Sequence, residues 1–208
     1  MVASCRNCGL IASAEFISRI QVANASKKDP MHTREALLPD AERIHELISA
    51  YSSDGTLLPR SLAEICESIR DFVVLEEHGK IIGCGALHLF GPHLAEIRSI
   101  TVAKSHQKHG GGEQLVQSLM SRARKRQVSC ICLFTRSPPF FAKLGFETAQ
   151  RSDLPEKINK DCCVCPRYHC CDEVAMVKGE LPRFAILPEP RNALVKLQVR
   201  AQLGSGGH

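Results

Sequence analysis

The chain has no run of roughly 18 apolar residues, the length a membrane-spanning helix requires. Its first residues lack the basic stretch, apolar stretch and cleavage site of a secretory signal. Those absences point away from a membrane and toward the cytoplasm. Two phosphate-binding strings are also missing. No GxxxxGK followed by Ser or Thr occurs, which excludes the P-loop. Gly110 and Gly112 are not followed by a third glycine, because Leu115 stands there, so the dinucleotide fingerprint fails too. Charge of one sign is in small excess, with a formal net charge of +5. The one dense basic cluster, Arg122-Arg124-Lys125-Arg126, sits at the end of an expected helix. It fits dipole compensation and a solvated helix end better than a nucleic-acid patch, so no nucleic-acid partner is expected. No internal repeat is visible.

Cysteine, by contrast, is plentiful, at 11 of 208 residues and odd in number. Without an export signal these residues read as thiols or metal ligands rather than a disulfide framework. The length suits one domain with a substantial core. Residues 1–30 read as an extension, disordered or a by-product of where the reading frame opens. Residues 31–180 carry clear patterning, and residues 181–208 read as a tail in which Arg191 to Gln202 is expected to form a helix.

Within 31–180 the pattern predicts a strand at Thr33 to Ala36. A helix follows that buries Ala41, Ile44, Leu47, Ile48 and Tyr51. Ser61 and Glu64 form a capping box ahead of a second helix. Strands Phe72 to Glu77 and Lys80 to Leu89 are joined at His78-Gly79. Gly83 and Gly85 within the second of these predict a bulge or a close approach to the backbone. A strand over Ala95 to Val102 then leads through a glycine-rich loop into a helix with Leu115, Val116, Leu119, Met120 and Ala123 on its buried face. Strands at Cys130 to Thr135, after Phe146 and at Val174 to Val177 complete the domain, with a short helix at Pro138 to Leu144. The expected class is α/β (α+β), a mixed, mostly antiparallel central sheet flanked by helices.

The chemistry centres on the strand–loop–helix junction. The first amides of a helix lack intrahelical partners, and the helix dipole adds positive charge there. Gly110, Gly111 and Gly112 let those amides approach a phosphate closely, with Lys104, Lys108 and His109 around them. Gln107 to Gly112 is a Q-x-x-G-x-G string, and it resembles the acyl-CoA loop of the GNAT superfamily of N-acetyltransferases. The string FFAKLGF resembles that family's second CoA-contacting segment, with Phe141 where many members have a proton-donating Tyr. AEIRSITV, LFTRSPPFFAKLGFE and LPEKINKDCCVCPRYHCCDEVAMV narrow the resemblance to short bacterial N-acetylglutamate synthases, over roughly Met31 to Lys178. The resemblance implies the GNAT fold, acetyl-CoA as co-substrate, and transfer to the α-amino group of glutamate at the entry to arginine biosynthesis. It places coenzyme contacts at Ile100, Val102, Gln107, Lys108, His109, Gly110, Gly111, Gly112, Glu113 and Phe141.

An amine at neutral pH must lose a proton before it attacks a thioester. Glu96 is the candidate base, directly or through a water; its alternative reading is an outward charge on an alternating strand. Alternation also predicts that Glu96, Arg98, Ile100 and Val102 share a face. A dicarboxylate acceptor asks for cationic anchors, for which Arg98, Arg136 and Lys157 are the candidates, each with a surface salt bridge as its alternative. Ser137 is the candidate proton donor in place of the missing Tyr. A strand amide near Ile100 or Val102 would stabilise the oxyanion.

Cys162, Cys163, Cys165, Cys170 and Cys171 crowd one short segment with His169. The spacing of Cys162, Cys165 and Cys171, which coincide with family cysteines, admits a structural zinc with His169, Cys170 or Cys8 as fourth ligand. Unmetallated thiols, a disulfide or an iron–sulfur centre are the alternatives. Acceptors other than glutamate, a non-catalytic acyl-CoA-binding or redox-sensing module, and a homodimer also remain open.

Overall fold

The computed structural model describes residues 30–186 and 197–199. The expected elements within 31–180 form, and their burial explains them. Strand β1 (His32–Glu35) leads through a 3₁₀ turn into α1 (Ala41–Ser52), which buries Ala41, Ile44, Leu47 and Ile48. Helix α2 (Leu62–Glu67) starts at the expected capping box: the Glu64 N–H donates to Ser61 Oγ at 3.2 Å and the Ser61 N–H to Glu64 Oε2 at 2.8 Å. Strands β2 (Phe72–Glu77) and β3 (Lys80–Leu89) join at His78 and Gly79, with φ of 52° and 70°. Two positive φ values match the twist that a two-residue hairpin needs.

Then come β4 (Leu94–Val102), α3 (Gly111–Lys125), β5 (Cys130–Thr135), α4 (Pro138–Ala142) and β6 (Glu147–Thr148). Helix α5 (Pro155–Lys160), not expected from the sequence, precedes β7 (Val174–Gly179). The seven-stranded sheet has the order β1-β2-β3-β4-β5-β7-β6, and only the β4–β5 pair is parallel.

Both faces of the sheet are covered. Helix α3 packs Leu115, Val116, Leu119 and Ala123 onto one face, against Val73, Leu75, Leu87, Ala95, Ile97 and Leu133. Helices α1 and α2 cover the other beside Phe72, Val74, Cys84 and Ala86. Burial on both sides is why β2 opens with four consecutive apolar residues rather than an alternation.

Two expectations are corrected here. Arg122 is no solvated helix end: its guanidinium donates to the carbonyls of Asp71 and Phe72 at 3.2 and 3.1 Å, and also to that of Arg70. In the tail, Leu197–Val199 is a strand (β9) paired with β8 (Phe184–Ile186), not part of a helix over Arg191 to Gln202, because the segment finds an antiparallel partner. The rest of that span, and residues 1–29, lie outside the described residues.

A bulge in β4 decides the geometry of the site. Pairing with β3 shifts between Ala86↔Arg98 and Cys84↔Thr101, so Ser99 and Ile100 together oppose Gly85. Ser99 takes a φ of 56° to accommodate the extra residue. The alternation therefore changes phase: Ala95 and Ile97, then Ile100 and Val102, face the α3 core. Glu96 and Arg98 share the opposite face as expected, but Ile100 and Val102 do not join them. Gly85 is where backbone meets side chain, since a Cβ there would lie 2.4 Å from Ile100 Cδ1 and 3.1 Å from Leu119 Cδ1. Gly85→Val is expected to destabilise the fold by about 1–3 kcal/mol through overpacking. Urea unfolding measures it, and an unchanged midpoint would contradict the packing described.

Candidate functional site

Strands β4 and β5 pair only over Leu94–Glu96 and Cys130–Cys132. Beyond that they part, and a cavity of about 650 Å³ opens between Ile97–Val102 on one side and Leu133–Thr135 on the other. The N-terminus of α3 forms one end. Gly110 caps the helix with a φ of 84° and offers no side chain, so no side-chain oxygen occupies the first amides. Gly110, Gly111, Gly112 and Glu113 all border the cavity. Uncapped amides carrying the dipole's positive end make that rim attractive to an anion.

The loop before it is fixed by side chains. Gln107 Nε2 donates to the Tyr51 hydroxyl at 2.7 Å, and that hydroxyl donates to the Val102 carbonyl at 2.5 Å. The end of β4 and the loop are thereby tied to α1, a role for Tyr51 that apolar periodicity did not reveal. Lys108 stands in the wall, while His106 rather than His109 contributes the bordering imidazole. Phe141 is buried, with its ring edge-on to Phe140 and Phe146 at 4.9 and 6.0 Å. The Ser137 N–H is held by Thr135 Oγ1 at 2.9 Å, and Ser137 borders the cavity.

Arg98, Arg136, Thr56, Leu57 and Glu173 form the other end. Arg136 is a clamp: Nε donates to both Asp172 oxygens at 2.8 Å and Nη1 to the Gly55 carbonyl at 2.7 Å. Arg167 repeats the pattern, reaching the Gly55 carbonyl at 2.6 Å and Asp172 at 3.2 Å. Glu173, absent from the sequence-based set, brings a carboxylate to the wall. Only its place at the mouth of β7 marks it.

Behind Arg98 lies a buried charged network. Glu96 is 2% exposed; its Oε1 is 2.7 Å from Lys157 Nζ and its Oε2 is 3.6 Å from Arg98 Nη1. Asp161 receives Lys157 Nζ at 2.9 Å and Arg98 Nη1 at 3.3 Å. Burial opposes the charge on Lys157, but Glu96 and Asp161 outweigh it and hold the ammonium above the usual lysine range. Burial likewise works against the Asp161 carboxylate, yet Lys157 and Arg98 keep it below its ordinary value. Neither Glu96 nor Lys157 borders the cavity itself; both stand one layer behind it. Arg60 joins this layer. Its guanidinium is depressed first by burial and then by Arg98, against the pull of Glu64, Glu96 and Asp161. Its position just before the α2 capping box was the missed signal. Arg98 Nε and Glu96 Oε2 are buried without a hydrogen-bond partner.

The acetyltransferase (GNAT) family matches residues 41–146, about half of the chain. The chain belongs to the GNAT family. An uncharacterized N-acetyltransferase of Chlorobaculum tepidum is 37% identical over 145 residues, covering 70% of this chain and 94% of that protein. The amino-acid acetyltransferase of Mycobacterium tuberculosis is 31% identical over 133 residues, covering 62% of this chain and 76% of that one. Among solved structures, the N-acetylglutamate synthase of Neisseria gonorrhoeae, complexed with coenzyme A and N-acetyl-glutamate, superposes with a TM-score of 0.66 at 30% identity. That match covers 76% of this chain but only 37% of the synthase.

In this GNAT protein the cysteine-rich segment runs from α5 to β7. Among the described residues no three His, Cys, Asp or Glu side chains stand in a metal-holding group. Cys162, Cys165 and Cys171 are strung along two successive 3₁₀ turns, Cys162–Val164 and Tyr168–Cys170, so knuckle spacing does not become knuckle geometry. Cys162, Cys163, Cys165, Cys170 and Cys171 form no disulfide, and Cys8 lies outside the described residues. No helix among the described residues is long and apolar enough to cross a membrane.

Lys157→Met removes the ammonium that neutralises a nearly inaccessible carboxylate. Removing one partner of a buried pair leaves an uncompensated charge, for which about 3–5 kcal/mol is expected. Adding Glu96→Gln to that variant is expected to restore part of the loss. Thermal or urea unfolding of both reads this, and equal stability of the two variants would contradict the pairing.

Proposed function

We propose that this GNAT protein transfers the acetyl group of acetyl-CoA to the α-amino group of an amino acid, with L-glutamate the leading acceptor. The observation that carries the reading is a single cavity with an uncapped helix N-terminus at one end and Arg98 at the other. The diphosphate of the coenzyme would lie on the amides of Gly110 to Glu113, with Gln107, Lys108 and His109 belonging to the loop that holds it. The pantetheine arm would pass between the parted strands, beside Ile100, Val102 and Phe141. The amino-acid acetyltransferase and N-acetylglutamate synthase relatives favour the same assignment; the role proposed with it is the entry step of arginine biosynthesis, in the cytoplasm.

The proton and bond changes then fall to named groups. Glu96 Oε2, buried and without a hydrogen-bond partner, takes the proton of the α-ammonium through a water, because Glu96 stands behind the cavity wall. The freed nitrogen adds to the thioester carbonyl. The β4 bulge leaves backbone outside the ladder, and an amide near Ile100 receives the oxyanion. Collapse breaks the C–S bond, Ser137 protonates the departing thiolate in place of the tyrosine that Phe141 replaces, and the second proton of the added nitrogen returns to the Ser137 oxygen as the amide forms.

Arg98 is the proposed carboxylate anchor, since its Nε is buried and unpaired. Lys157 and Arg60 support it from behind, and Arg136 would serve once Asp172 yields. A second reading keeps the same chemistry with a cationic amine as acceptor. It is favoured by Glu173 in the wall and by Asp172 already neutralising Arg136. Release of CoA thiol, followed across a panel of amino acids and polyamines, separates the two. Glutamate is expected to give the highest kcat/KM, and Arg98→Ala to raise its KM by roughly tenfold or more, about 1.4 kcal/mol, with the acetyl-CoA KM little changed. Faster turnover of a polyamine would favour the second reading. Binding of acetyl-CoA without turnover of any amine would sink both.

A further inference from the structure

The turn that follows α5 has a geometry the transfer reaction does not use. The Cys165 N–H donates to the Cys162 carbonyl at 3.0 Å, closing the 3₁₀ turn Cys162–Val164. In such a turn residues three apart eclipse each other, with Cα atoms about 6 Å apart along the axis. A disulfide needs Cα atoms about 4.4–6.8 Å apart, so the Cα spacing that this turn sets is within bridging range. Both thiols are free and partly exposed. Their neighbours are engaged elsewhere: Cys163 Sγ donates to the Asn159 carbonyl at 2.9 Å, and Cys171 Sγ faces Glu173 Oε2 at 3.9 Å. Asp161, directly ahead of Cys162, is the residue whose carboxylate receives Lys157 and Arg98.

We propose that Cys162 and Cys165 form a reversible redox site, in which a hydroperoxide converts the dithiol to a disulfide that braces the turn beneath Asp161. The Cys165 thiolate attacks a peroxide oxygen; the O–O bond breaks, and the leaving hydroxide takes a proton to become water. Cys162 then attacks the sulfenic sulfur, the S–S bond forms, and the S–O bond breaks with loss of a second water. The balance is two thiols and one hydrogen peroxide to one disulfide and two waters. The bridge closes a ring immediately after Asp161 and so fixes the end of α5 that supports Arg98.

The test uses the full chain, reduced and then exposed to equimolar hydrogen peroxide, with remaining thiols alkylated before tryptic digestion and mass spectrometry. The peptide 161–167 is expected to carry one alkyl group where the reduced peptide carries three, and to be two hydrogens lighter than a singly alkylated reduced peptide; the change is expected to reverse with dithiothreitol. It should persist in Cys163→Ser and disappear in Cys162→Ser and Cys165→Ser. The bridged protein is also expected to melt higher than the reduced one, because the crosslink restrains the unfolded chain. A bridge through any other pair, sulfinic acid at Cys165 without a bridge, disulfide-linked dimers as the main product, or a lower melting temperature on bridging would each overturn the proposal.

Discussion

One extra residue in β4 governs the molecule. Ser99 and Ile100 stand opposite Gly85, and this two-against-one pairing does two things at once. It moves Ile100 and Val102 onto the α3 face, so the far end of the strand packs a hydrophobic core instead of continuing the row begun by Glu96 and Arg98. Past Glu96 and Cys132, β4 and β5 no longer pair, and the gap between them is the cavity. The helix that follows enters with a glycine cap and no side-chain acceptor, so its amides face the gap. The irregular half of β4 thus lines the cavity, and the glycine-capped helix that follows it closes one end.

The charged layer behind Arg98 is the second constraint. Glu96 is too buried to stand alone, and Lys157 from α5 balances it while Asp161 binds both Lys157 and Arg98. Such a network gains little net stability over an apolar core. What it provides is a fixed orientation for Arg98 with its buried Nε left without a hydrogen-bond partner. The Arg136 and Arg167 clamp on Asp172 and Gly55 holds the opposite lip by similar means.

Local signals reported the fold well because they act over a few residues. The Ser61–Glu64 box, the His78-Gly79 turn and the apolar face of α3 each need only their own neighbours, and each is present. Phase along β4 was not legible, because a bulge depends on what the partner strand can accommodate. The glycines at 83 and 85 signalled irregularity without saying which residues it would displace. Helix α5 was hidden for a related reason: PEKINK has no apolar stripe, and it is held by its lysine reaching Glu96 on a distant strand. Cysteine spacing was only half informative: Cys162 and Cys165 share one turn, but among the described residues no third ligand joins them to hold a metal. The residues bordering that end of the cavity come from four separate segments, so Glu173 in the wall and Arg60 behind it carried only weak positional signals until the chain was folded.

Coenzyme binding depends first on the anion rim at α3. A Cβ at Gly112 would meet only Phe140, at 3.5 Å, so Gly112→Asp is tolerated sterically while adding a negative charge to the rim. Calorimetric titration of acetyl-CoA into the native protein and into this variant is the direct measurement. Saturable binding that weakens roughly tenfold or more in Gly112→Asp, about 1.4 kcal/mol, is the predicted result. Equal affinity in the two proteins, or no binding to either, would contradict it.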